Sequence, residues 1–214
     1  MKENKLTTTF CNNVLNQYSP AQMEKITKFI EKNFGGGNEG WVCHELTSEG
    51  IHVDVLLCAN EDNQYLVTFG MGSMEMCNWA VLQDEKLKRL EVLFNVSRDY
   101  KMTNEEKLLL ANELMQIAKY PSRENTFFGP GHTINASKKF KEKFGYDYFL
   151  FFVPIEKLKL GKLGNVHFIP LIPIYEKERE WMVKNNSLEW LYANEDLDNA
   201  IFVDKKREIF IPNK

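Results

Sequence analysis

The chain has 214 residues, 43% hydrophobic and 27% charged, the composition of an ordinary globular protein rather than a disordered or fibrous one. A formal charge of −3 and a pI near 5.9 provide no basic field to neutralise phosphates, which argues against a nucleic-acid partner. No apolar run approaches the roughly 20 residues needed to span a bilayer, and Met1-Lys2-Glu3-Asn4 does not open a signal peptide, so no membrane association is expected.

At this length one compact domain over residues 1–214 is expected, and it needs neither metal nor disulfide staples to fold. Cys11, Cys43, Cys58 and Cys77 lack C-x-x-C spacing and read as free thiols of a cytoplasmic protein.

Ser19-Pro20-Ala21-Gln22 starts a helix: Ser19 caps it, Pro20 suits its first turn, and Gln22 reaches back to complete a capping box. Met23, Ile26, Ile30 and Phe34 form its apolar stripe, and Gly35-Gly36-Gly37 ends it. Ile51, Val53, Val55 and Leu57 then alternate with their neighbours. With the turn Glu61-Asp62-Asn63 and the run Tyr65 to Phe69 they predict an antiparallel hairpin. Gly70-Met71-Gly72-Ser73 begins like a dinucleotide-binding loop but lacks the third glycine, so it reads as a tight strand exit.

Arg89 to Val96 predicts a further strand. Thr103 with Glu106 caps a second helix, expected to end near Pro121, because the residue before a proline resists the helical region. Gly129-Pro130-Gly131 marks a tight loop carrying His132, read as structural. Asp147 to Val153 predicts a strand covered on both faces. Val166 to Tyr175 is strand-like, but Pro170 and Pro173 cannot donate to a ladder, which places it at a sheet edge or a bulge. Helical stretches follow at Glu176 to Val183 and Leu188 to Tyr192. Ile201 to Val203 and Ile209 to Ile211 read as a closing hairpin. Strands and helices do not alternate regularly, so the expected class is α+β, a mixed, largely antiparallel sheet with packed helices.

One reading of the polar residues is a metal-dependent or hydrolytic enzyme using His52, Asp54 and His132, with His44 or His167 completing the site. It requires these groups to converge in one cleft.

Several strings, in order, resemble the suppressor-of-fused-like family. Tyr65-Leu66-Val67-Thr68-Phe69-Gly70-Met71 is similar to that family's strand end, an aromatic and hydrophobic run closing on Ser/Thr-x-Gly-Leu/Met, and His52-Val53-Asp54-Val55 to the strand before it in bacterial members. Glu124-Asn125-Thr126-Phe127 and the loop with Gly131 and His132 resemble its Glu-Asn-Thr-Phe segment and Gly-x-His loop. Phe168 to Trp190 and Ala200 to Asp204 fit the downstream pattern. The positions that carry the resemblance are Asp54, Thr68, Gly70, Met71, Asn125, Phe127, Gly131 and His132.

The resemblance implies a non-enzymatic, cofactor-free domain that binds another protein. In animals the resembling protein sequesters a transcription factor of the Hedgehog pathway. The short bacterial members, which this chain looks more like, are regarded as immunity proteins that neutralise polymorphic toxins, so the expected partner is a toxin domain encoded nearby. Docking is expected at the incompletely paired edge around Pro170 and Pro173. If the partner is basic, Glu176, Glu178 and Glu180 would speed its encounter.

Overall fold

The computed structural model describes residues 17–36, 42–45, 51–76, 87–185, 190, 203 and 207–211. Helix α1, Pro20–Phe34, carries the capping box foreseen at Ser19 and Gln22, and it buries Ile26, Ile30 and Phe34. Strands β1 (Val42–Glu45), β2 (Val53–Ala59) and β3 (Asn63–Phe69) form an antiparallel meander, with the β2–β3 hairpin where the alternation placed it. Strand β4, Leu90–Ser97, pairs antiparallel to β3. Helix α2, Asn104–Arg123, follows with a complete Thr103–Glu106 capping box.

Helix α2 ends at Arg123, near Pro121 as expected, but it runs through the proline rather than stopping at the residue before it. In the last turn the missing N–H forfeits a single bond, and the end is closed by the Glu124 amide on the Tyr120 carbonyl and the Thr126 amide on the Pro121 carbonyl. Between them Asn125 takes φ 51°, the left-handed position that a short polar side chain tolerates better than most.

Strand β5 (Thr133–Asn135), helix α3 (Lys138–Phe144), strands β6 (Tyr148–Phe151), β7 (Glu156–Lys159) and β8 (Asn165–Ile174), and helix α4 (Glu176–Asn185) complete the described elements. They assemble an eight-stranded mixed sheet in the order β1-β2-β3-β4-β8-β6-β5, with β7 also pairing β8. Among the described strands only β4 and β8 pair in parallel, so the class is α+β, as the irregular succession of elements implied.

Strand β8 lies at the centre of the sheet, which corrects its expected place at an edge. Its first half pairs with β4 on one side and β7 on the other; its second half pairs with β6. The prolines sit where these ladders change. Pro170 is the last residue in register with β4, and its carbonyl accepts the Phe152 amide at the end of the β6 ladder. Pro173 faces the side that β4 has left, where its carbonyl accepts the Arg207 guanidinium. Neither position asks a proline for an N–H that an adjoining strand needs.

Alternation on β8 sorts the core. Ile169 and Leu171 join the main cluster under α2 and α3, whereas Val166 and Phe168 pack under α1, and Ile172 and Ile174 under α4. Helices α2 and α3 therefore cover one face, and α1 and α4 cover opposite ends of the other. Burial of Cys58 within the α1 cluster pushes its thiol up to about 11.

The expected helix at Leu188 to Tyr192 lies outside the described residues apart from Trp190, and the expected closing hairpin is described only in part. The Val203 amide bonds to the Asn95 carbonyl of β4, while residues 207–211 are not in a strand. They are held against α4 through Glu178, which accepts from both terminal nitrogens of Arg207 (2.6 and 2.7 Å) and from the Phe210 amide (2.7 Å).

Candidate functional site

The residues proposed for an enzyme do not come together. His52 Nε2 sits 3.1 Å from Asp54 Oδ2 beside β2, and His132 precedes β5. Those two strands are five steps apart in the sheet, about 24 Å at the usual inter-strand spacing. His167 lies on β8 in register with Leu90 and Lys157, and His44 on β1 in register with Asp54. Among the described residues no three His, Cys, Asp or Glu groups are placed to hold a metal ion.

The glycine loop after β3 is occupied from within. Glu91 of β4, fully buried, accepts at Oε1 from the amides of Gly70 and Gly72 (3.0 and 3.1 Å) and from the Tyr18 hydroxyl (2.6 Å). At Oε2 it accepts from the Thr68 hydroxyl (2.6 Å). The amides that a phosphate would need are spent on a carboxylate of the chain itself. At Gly70 (φ 133°) a Cβ would come within 2.1 Å of the His52 carbonyl, so no side chain fits. Thr68 and Gly70 thus belong to the frame that ties Tyr18, just before α1, to the sheet, and the buried Met71 packs into the main core. Nothing in the local sequence singles out Glu91, because its partners lie 19 to 73 positions away.

Asn125, Phe127, Gly131 and His132 shape the approach to β5. The Gly131 amide donates to the Phe151 carbonyl (2.8 Å), the His132 carbonyl accepts from the Phe151 amide (2.9 Å), and the His132 ring packs 5.4 Å from that of Phe127. Burial against this wall lowers the His132 pKa, partly offset by a hydrogen bond with the Phe127 backbone. Gly131 adopts φ 82°, so Gly131→Val is expected to cost about 1 to 2 kcal/mol or more. Denaturant midpoints measure this; an unchanged midpoint would show that the loop does not set the strand.

The loop delivers the chain into β5, the last strand of the sheet order, which among the described residues pairs only with β6. The bonds toward β6 are made at His132 and Ala136, so by alternation the backbone groups of Thr133 and Asn135 point to the outer edge. Along this edge runs a groove of about 380 Å³. One lip is α2, with Ile117, Tyr120 and Arg123; the other is Tyr148 of β6 with Arg179 of α4. Each arginine lies over a tyrosine: Arg123 is 5.5 Å from the Tyr120 ring centre, and Arg179 is 4.7 Å from that of Tyr148. At the floor, Glu113 accepts from the Ser137 amide (3.1 Å), and burial raises its pKa.

Of the carboxylates expected to meet a partner, Glu178 is not available: it has no exposed surface and is committed to Arg207, Tyr175 and Phe210. Helical spacing turns every third or fourth residue of α4 inward, and Glu178 takes that place beside Met182. Glu176, which accepts from the Tyr148 hydroxyl, and Glu180 stay at the surface.

Residues 49–208 match the family profile described as Suppressor of fused protein (SUFU). A chain of the Sufu-Fu complex crystal structure superposes with a TM-score of 0.59 at 10% identity, covering 90% of this chain and 92% of that one. Drosophila Suppressor of Fused superposes with a TM-score of 0.52 at 13% identity, covering 72% of this chain and 42% of that one. No curated protein matches the sequence. At these identities the structural likenesses speak to the fold.

Proposed function

Because the chain belongs to the suppressor of fused family, we propose that it acts by binding another protein, non-enzymatically, and that the partner docks as an added strand on the outer edge of β5. The observation that carries this reading is the outer edge of β5, unpaired by any described strand, lying along the floor of a two-lipped groove. Unpaired amides and carbonyls of an edge strand template an incoming one.

The finer reading is that the partner is a polymorphic toxin encoded nearby, which the chain neutralises as a cytoplasmic immunity protein. The similarity of the Thr68 to Met71 and Asn125 to His132 strings to short bacterial members supports it.

Asn135→Pro tests the docking mode. Its N–H faces outward, so proline there removes an outer donor and puts a ring in the path of a partner while sparing the β6 ladder. The thermal midpoint is expected to stay within a few degrees of wild type, and binding of the neighbouring toxin domain in calorimetry to fall below detection. Undiminished binding by a folded Asn135→Pro protein would remove β5 as the docking edge.

A further inference from the structure

Resting on the β5 docking reading, we propose that the docked segment is an extended strand with an acidic side chain opposite Thr133 and an apolar or aromatic one opposite Ile134. The two lips of the groove differ in chemistry, and they lie on opposite faces of β5. Ile134 packs into the main core, on the face covered by α2, beside the lip formed by Ile117 and Tyr120. Thr133, its neighbour by alternation, points to the other face, where its hydroxyl accepts from Arg179 Nε at 3.3 Å.

That bond and the Tyr148 ring hold the guanidinium in place before any partner arrives. The Tyr148 hydroxyl is itself tied to Glu176 at 2.7 Å, so the platform is fixed as well. Arg179 Nη1 and Nη2 make no hydrogen bond with the described residues, and no described carboxylate lies within ion-pair distance of them. Arg123, by contrast, is already paired with Glu124 at 2.9 Å. Among the described residues Arg179 is therefore the cation of this groove with a free fork, the geometry that receives a carboxylate through two parallel bonds.

Strand addition decides which residue of the segment reaches it. Directly opposed residues of paired strands have Cβ atoms about 5 Å apart on the same face, so the side chain paired with Thr133 lies beside Arg179. Its neighbours alternate to the α2 lip, where Tyr120 and Ile117 favour apolar or aromatic groups. The recognised pattern is an alternation of apolar and acidic residues, chemistry opposite to that of a basic segment.

The test uses the full chain and three immobilised synthetic peptides in which valine alternates with glutamate, glutamine or lysine. The glutamate peptide is expected to bind about tenfold or more tightly than the glutamine peptide, and the lysine peptide most weakly. Arg179→Gln should abolish the difference between glutamate and glutamine, and Arg179→Glu should invert the order so that lysine binds best, both with wild-type thermal midpoints. Equal binding of all three peptides, lost together in Asn135→Pro, would overturn the acidic preference and leave the docking edge standing. Binding that survives Asn135→Pro, or no binding of any peptide, would overturn both.

Discussion

Glu178→Gln is expected to destabilise the protein by about 3 to 5 kcal/mol, the cost of breaking a buried ion pair by altering one partner. All four bonds at this carboxylate come from groups that only donate. Oε1 takes Arg207 Nη1 and the Phe210 amide, and Oε2 takes Arg207 Nη2 and the Tyr175 amide. Glutamine would turn an NH2 toward two of these donors and leave a guanidinium with 11% of its side chain exposed without a counter-charge. Arg207 cannot escape by losing its proton, and its stacking at 5.4 Å from the Tyr175 ring centre holds it in place. Urea midpoints of wild type, Glu178→Gln and the double substitution Glu178→Leu with Arg207→Met measure the effect. The apolar pair should recover most of the loss. A Glu178→Gln midpoint within error of wild type would show that this pair does not hold the 207–211 segment.

The same substitution at Glu91, which like Glu178 has no exposed surface, has the opposite outcome: Glu91→Gln should cost less than about 1 kcal/mol, while Glu91→Ala should cost about 3 to 5 kcal/mol, through several buried donors stranded at about 1 to 3 kcal/mol each. The difference lies in Thr68. Its hydroxyl accepts the Val92 amide at 2.9 Å and also lies 3.2 Å from the Val92 carbonyl, so it can turn its proton there and accept from a glutamine NH2. The glutamine carbonyl keeps the amides of Gly70 and Gly72 and the Tyr18 hydroxyl. Protonated Glu91 would be wired in the same way, and desolvation, outweighing its four donors, raises its pKa.

The pH dependence follows with a definite sign. The native state holds the Glu91 proton more tightly than the unfolded chain does. The stabilisation is therefore complete below the ordinary carboxylate range and is lost as pH rises through the raised native value. Glu91→Gln removes this contribution, so wild type should lose stability relative to Glu91→Gln as pH rises across that interval. A difference between the two that is independent of pH would show that Glu91 titrates as an ordinary carboxylate.

Local pattern alone determined the helix starts at Ser19 and Thr103, the β2–β3 hairpin, the doubly covered β6 and the α+β class. Capping boxes, alternation and turn residues act over a few positions and are written out in full in such windows. The resemblance in the Thr68 to Met71 and Asn125 to His132 strings likewise located the family, because those residues hold the glycine loop and the entry to β5.

Tertiary structure alone decided which strand is an edge. Pro170 and Pro173 forbid N–H donation, but only the positions where β8 changes partners show that neither N–H was needed, which puts β8 at the centre and leaves β5 outermost among the described strands. It also decided what the carboxylates do. Glu178, expected to meet a partner, and Glu91, which no local pattern singles out, are both claimed by partners up to 73 residues away. Arg179 gains its place at the groove only through Thr133, 46 positions earlier. Charge patterns report which residues can ionise, whereas what each one faces depends on contacts between distant segments that no local window contains.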